Sequence, residues 1–219
     1  MKDWELIDLG KQLSSFVVGT EGNISKRTEE GFRIKGSGTS LNLMDFSLVE
    51  CDIDGKPLPN QTSKPSMEAS FHSWIYKNSD FQIIAHTHPT NLLKILCTDY
   101  TNEFAHSRMF PDQVVFNGKE SCAVSYATPG ASLTAQIAAS VEDFKNRHLY
   151  FPKLLLLENH GLVCCANSSK EAIIMTEICE KAAEIFIGSK LLGTISPLSP
   201  RNIEDVASHE DEKYRRSLT

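Results

Sequence analysis

With 219 residues, 41% of them hydrophobic and 23% charged, the chain has the composition of a folded globular protein and enough length for one full core. Its net charge of -6, with no clustered basic face, argues against a nucleic-acid partner. No stretch approaches the apolar length of a membrane span, and the start, with Asp3, Trp4 and Glu5, lacks the apolar core of a secretory leader, so the cytosol is the expected compartment. The six cysteines (Cys51, Cys97, Cys122, Cys164, Cys165, Cys179) show no C-x-x-C spacing and lie mostly in apolar surroundings, as reduced, packed thiols do. A single domain over residues 1–219 is expected.

Residues 4–18 place Leu6, Leu9, Leu13, Phe16 and Val17 at helical spacing and end at Gly19 and Gly22. Short strand-like runs at 23–27, 32–35 and 48–53, separated by turn residues, predict an antiparallel meander. After a polar loop at 55–64, Pro65 and Ser66 open a predicted helix to about residue 77, with Ser66 as N-cap and Phe71, Trp74 and Ile75 as its buried face. A buried strand follows at 81–85, a helix at 92–97, and short strands at 114–116 and 123–126. A helix at 132–145 precedes two apolar runs, 153–157 and 162–165, that flank Glu158-Asn159-His160-Gly161. Residues 169–192 read as a long helix, 194–200 as a linker, and 203–218 as a C-terminal helix.

His86 and His88 follow Ile83-Ile84-Ala85, so a continuing strand projects both from one face, about 7 Å apart at Cα, which suits two imidazoles on one metal. Spacing alone does not separate such a pair from two surface histidines. A catalytic zinc takes three protein ligands and keeps a position open. His160 is the best third donor: it follows the apolar run 154–157, and Gly161 after it permits a sharp turn. His72 lies four residues after Glu68 and reads as a helix-face or aromatic packing residue; His106, His148 and His209 show no convergent partner. Glu68 falls in the first turn of its predicted helix, where the helix dipole favours a carboxylate whether or not it is catalytic. Ser66 at the same helix N-terminus offers a hydroxyl and N–H groups to a phosphate, and Gly22-Asn23 and Gly36-Ser37-Gly38 offer further backbone donors.

Four separated motifs, Gly22-Asn23-Ile24-Ser25, Lys64-Pro65-Ser66-x-Glu68, His86-Thr87-His88-Pro89 and Asn159-His160-Gly161-Leu162, stand in an order that resembles the class II aldolase/adducin family over residues 5–192. The pattern is most similar to that of the L-fuculose-phosphate aldolases within it. The resemblance implies an α/β fold, an α/β/α layered domain with a largely antiparallel central sheet, and a homotetramer with active sites at subunit interfaces. It implies one Zn2+ per chain on His86, His88 and His160, Glu68 as acid/base, and substrate phosphate at Asn23, Ser37, Gly38 and Ser66. The implied reaction is cleavage of a ketose 1-phosphate to dihydroxyacetone phosphate and a small aldehyde, with the tail at 194–219 closing over the site and Tyr214 as a proton donor there. Met67 departs from the aldolase pattern, which has a second serine at this position. Glu68 departs from the related epimerases, which carry Asp, but not from the sugar-phosphate dehydratases of the family. A dehydratase or 4-epimerase on the same zinc site, and a non-catalytic adducin-like interaction module, are the alternative readings; retention of all three histidines and Glu68 argues against the module.

Overall fold

A computed structural model describes residues 3–42 and 47–218, except the side chains of residues 216 and 217. Asp3 accepts the Leu6 N–H at 3.2 Å and so caps helix α1 (Trp4–Leu13), which ends in one 3-10 turn, Ser14–Phe16. Strands β1 (Asn23–Arg27), β2 (Gly31–Lys35) and β3 (Leu48–Asp52) form the expected antiparallel meander. Helix α2 (Ala69–Asn78) leads to β4 (Ile83–Thr87), then to three short helices, α3 (Thr90–Leu96), α4 (Thr101–His106) and α5 (Pro111–Asn117). Strand β5 (Cys122–Val124) and helix α6 (Ala131–His148) precede the hairpin of β6 (Leu154–Leu157) and β7 (Gly161–Ala166). The chain finishes with α7 (Ser169–Leu192), α8 (Pro200–Ser208) and α9 (Glu210–Ser217).

The seven strands make one sheet in the order β3-β2-β1-β4-β7-β6-β5, antiparallel except where β5 runs parallel to β6. Side chains alternate between two cores. Ile24, Ile83, Ala85, Leu156 and Cys164 face the layer of α1, α3 and α7, whereas Phe32, Ile34, Ile84, Leu155 and Val163 face α2 and α6. The domain is therefore an α/β/α sandwich. Covering both faces of the sheet is why β4, β6 and β7 read as unbroken apolar runs rather than alternating ones.

Four boundaries differ from the sequence expectation. Residues 114–116 belong to α5, not to a strand: Pro111 at its start and Asp112 in its first turn favour a helix, and a run as short as Val114-Val115-Phe116 has no periodicity of its own. Residues 101–106 are helical where none was expected. Helix α2 begins at Ala69 rather than at Pro65, because residues 64–66 are tied to the end of β2: Ser37 N–H donates to Lys64 O at 2.9 Å and Ser66 N–H to Lys35 O at 3.1 Å. The C-terminal helix breaks at His209 into α8 and α9.

The tail packs on α5. Lys119 pairs with Glu204, and Arg215 pairs with Asp112 and lies over the Phe116 ring. Of the six thiols only Cys97 is exposed; the other five are buried and all six are free. Among the described residues no helix is long and apolar enough to cross a membrane.

Candidate active site

Strand β4 sits between β1 and β7, with His86 opposite Asn23 on one side and Val163 on the other. The His86 ring is fully buried, edge-on to Phe71 of α2, and its Nδ1–H donates to Leu162 O at 2.9 Å. That donation leaves Nε2 with a free lone pair. The strand stops at Thr87, so His88 lies one residue beyond it, held by its N–H to Phe16 O at 2.9 Å. Just downstream, Glu180 of α7 accepts the Asn91 and Leu92 N–H groups, each at 2.9 Å, and so caps α3 from another helix.

His160 occupies the β6–β7 turn, where Leu157 pairs with Gly161. The positive φ of this turn falls on Asn159, at 53°, not on Gly161 as the sequence suggested. Gly161 is needed for space instead. A Cβ there would lie 2.6 Å from both His88 Cδ2 and Thr87 O, inside any tolerable contact. Gly22 meets the backbone from the other side: its φ is 64°, and a Cβ would lie 2.7 Å from His86 O.

The three imidazoles converge. Their ring centroids are 4.8 Å apart for His86–His88, 4.8 Å for His86–His160 and 5.4 Å for His88–His160, and one nitrogen from each lies within 4.8 Å of the others. Burial pushes His86 down to about 4 and also lowers His88, in both cases against the pull of Glu68, so both rings are neutral near pH 7. His88 Nε2 lies 3.1 Å from His86 Nε2, two ring nitrogens aimed at one point, and the buried His160 Nδ1 has no hydrogen-bond partner among the described residues. Neutral, convergent nitrogen donors of this kind fit a divalent metal of intermediate softness.

Glu68 stands against this cluster, with Oε2 3.3 Å from His86 Nε2 and Oε1 3.3 Å from His160 Nε2, while Asn23 Nδ2 donates to Oε2 at 2.7 Å. Burial raises its carboxyl, but the surrounding His86, His160 and Asn23 outweigh that and hold it well below the usual carboxylate range. Glu68 occupies the residue before the first helical turn of α2 rather than a place within that turn, and its side chain caps nothing. It is free to face the site.

A cleft of about 240 Å³ opens beside it, with Asn23, Ser37, Gly38, Ser66, Glu68 and His88 all in its wall. The structure thus brings together the three histidines, Glu68 and the four residues expected at the phosphate, His86 and His160 lying against Glu68. The donors differ in detail from expectation. The Ser37 and Ser66 N–H groups are spent on Lys64 O and Lys35 O, and Ser66 Oγ accepts the Glu68 N–H, so the hydroxyls and Gly38 N–H, which has no acceptor among the described residues, are what remain for an anion. Met67 stands 75% exposed at the rim. Tyr214 is on α9 and is not among the cleft residues.

Sequence reasoning missed Lys35. Its side chain is 2% exposed in the cleft wall and its ammonium donates to Thr20 O and Thr39 O, with no carboxylate in ion-pair range among the described residues. Burial lowers it, against the pull of Glu68. A buried cation held only by carbonyls favours an anion in the cleft. The signal was its position directly before Gly36-Ser37-Gly38. His72, read as a packing residue, does stack on Phe71 with centroids 4.6 Å apart, but its ring nitrogens also bond Ser25 and Asn23. His106 and His148, expected to lack partners, both meet Glu120, at 3.3 and 3.2 Å.

Residues 5–187 match the family model described as the class II aldolase and adducin N-terminal domain. A 3-oxo-tetronate 4-phosphate decarboxylase of Haemophilus influenzae is 30% identical over 186 residues, covering 83% of this chain and 84% of that protein. An L-fuculose phosphate aldolase of Methanocaldococcus jannaschii is 27% identical over 78% of this chain and 86% of its own. In three dimensions, an L-fuculose 1-phosphate aldolase superposes with a TM-score of 0.78 at 23% identity, over 97% of this chain and 95% of that one, and so shares the fold. With three histidines converging beside a buried glutamate on this sandwich, the chain belongs to the class II aldolase/adducin family.

Proposed function

We propose that the protein is a zinc-dependent aldolase that cleaves a ketose 1-phosphate of the L-fuculose-phosphate kind to dihydroxyacetone phosphate and a small aldehyde. The observation that carries this reading is the meeting of His86, His88 and His160 with the ionised Glu68 at the wall of an anion-favouring cleft. His86, His88 and His160 would hold one Zn2+ per chain, which supplies Lewis-acid stabilisation of the negative charge that develops on the ketose oxygens when the carbon–carbon bond breaks. Gly38 N–H, the Ser37 and Ser66 hydroxyls and Lys35 seat the phosphate, with Asn23 beside them. Glu68 takes up the hydroxyl proton released as the departing carbon becomes the aldehyde and returns it to the triose carbon left with the bonding electron pair, and the condensation direction reverses both transfers; such acid–base assistance contributes about 10² to 10⁴ in rate. Exposed Val18 and Met67 beside the cleft are apolar surface suited to a neighbouring subunit of a homotetramer.

The test is release of dihydroxyacetone phosphate from L-fuculose 1-phosphate and related ketose 1-phosphates, by the zinc-loaded protein and by Glu68→Gln. Release by the wild type, lost at least about 100-fold in Glu68→Gln and on chelation, is the expected result. Absence of triose from every ketose phosphate would overturn it. A second reading, decarboxylation of a 3-oxo acid phosphate, is favoured by the Haemophilus influenzae relative at 30% identity and uses the same charge stabilisation and the same proton delivery. It predicts carbon dioxide rather than dihydroxyacetone phosphate as the released fragment.

A further inference from the structure

Behind Glu68 a chain of buried polar groups runs away from the cleft. Glu68, His72 and Tyr76 recur at four-residue intervals along α2, and Asn23 and Ser25 at a two-residue interval along β1. A helix rises about 6 Å in four residues and a strand about 6.6 Å in two, so the two stripes stay level and interleave. The contacts follow that order: Tyr76 OH to Ser25 Oγ at 2.8 Å, Ser25 Oγ to His72 Nδ1 at 2.7 Å, His72 Nε2 to Asn23 Oδ1 at 2.5 Å, and Asn23 Nδ2 to Glu68 Oε2 at 2.7 Å. Asn23, Ser25, His72 and Tyr76 are each at most 2% exposed.

The direction of every bond is determined. Asn23 turns its amide NH2 to Glu68 Oε2 and its carbonyl oxygen, which can only accept, to His72. His72 must then carry its proton on Nε2, which leaves Nδ1 as an acceptor for the Ser25 hydroxyl, and the Ser25 oxygen accepts from Tyr76. Reversing any link would leave buried polar groups facing like with like.

We propose that Tyr76, Ser25 and His72 form a one-way hydrogen-bonded relay that, through Asn23, holds the Glu68 carboxylate in its working orientation. Its kinetic consequence rests on the acid/base role proposed for Glu68. His72 is a positioning residue: it locks the Asn23 amide, and without it the amide can turn its oxygen to the carboxylate and release it.

Two measurements on the zinc-loaded protein test this. The first needs no substrate: long-range 1H–15N correlation of the assigned His72 ring should show the neutral Nε2–H tautomer, and an Nδ1–H tautomer would overturn the relay even if the aldolase reading stands. The second compares His72→Leu with His72→Gln, whose amide can again donate to Asn23. His72→Leu should lower kcat about 10- to 100-fold with KM changed less than about threefold and zinc content at the wild-type level, whereas His72→Gln should recover most of kcat at a similar Tm. Equal losses in both variants, or losses that track Tm or zinc content, would overturn the relay. A wild type with no triose or carbon dioxide release defeats the functional reading instead, and the tautomer then decides the relay alone.

Discussion

At the scale of single residues, space decides as much as chemistry does. Gly161 was legible as a turn residue, yet Asn159 takes the left-handed conformation and Gly161 leaves room for two of the convergent imidazoles, His88 and His86. Gly161→Ala should therefore move His88 and His86 and weaken zinc binding at least about tenfold while leaving the circular dichroism spectrum unchanged. Competition against a chromogenic chelator measures this, and undiminished affinity would show that the histidines tolerate the methyl group. The same logic separates what could be read at Glu68 from what could not. Its place in Lys64-Pro65-Ser66-Met67-Glu68 marked it as a candidate base, but its oxygens' distances to His86 and His160 arise only when α2 docks on β4.

At the scale of elements, the short helix α3 depends on its neighbour. Pro89 occupies its N-cap without a side-chain bond, and the carboxylate of Glu180, 89 residues from Asn91, supplies the missing acceptors. Glu180→Ala should cost about 1–2 kcal/mol, the scale of a lost cap with charged hydrogen bonds. Urea unfolding with an unchanged m-value checks it. Because α3 starts two residues after His88, the variant should also show a lower kcat; a stability loss without any change in activity would mean that His88 is held by Phe16 alone. Helices α1, α6 and α7 were readable because each runs long enough to show an apolar period, and the 7-residue α3 because Leu92, Ile95 and Leu96 fall at helical spacing, whereas α4 and α5, at 6 and 7 residues, show no such spacing.

At the scale of the whole molecule, burial of neutral histidine makes folding depend on pH. His72 is fully enclosed between α2 and β1, and burial pushes it down to about 3 from an unfolded value of 6.5. As pH falls below 6.5 the unfolded chain takes up a proton that the folded chain refuses, so the unfolded state binds more protons and is favoured. The His72 contribution is thus fully present above pH 6.5 and is lost progressively as pH falls toward 3, by up to about 1.4 kcal/mol per pH unit. In metal-free protein, the unfolding free energy of the wild type should fall more steeply between pH 6.5 and 4.5 than that of His72→Gln. Parallel curves would show that His72 is hydrated or already protonated in the folded state.

The sequence by itself determined the α/β class, most strands and long helices, the family, and the histidines and glutamate of the candidate site, because hydrophobic period and motif order are local properties of the chain. Tertiary structure alone decided that β4 lies between β1 and β7, which sets Asn23 beside His86, and that α2 lies level with β1, which threads Asn23 and Ser25 between Glu68, His72 and Tyr76. It also decided that Lys35, an ordinary strand residue in sequence, ends as a buried cation in the cleft wall. These pairings join residues 45 to 51 positions apart, and no local pattern encodes them: they follow from the requirement that each polar group buried by the sandwich find a partner.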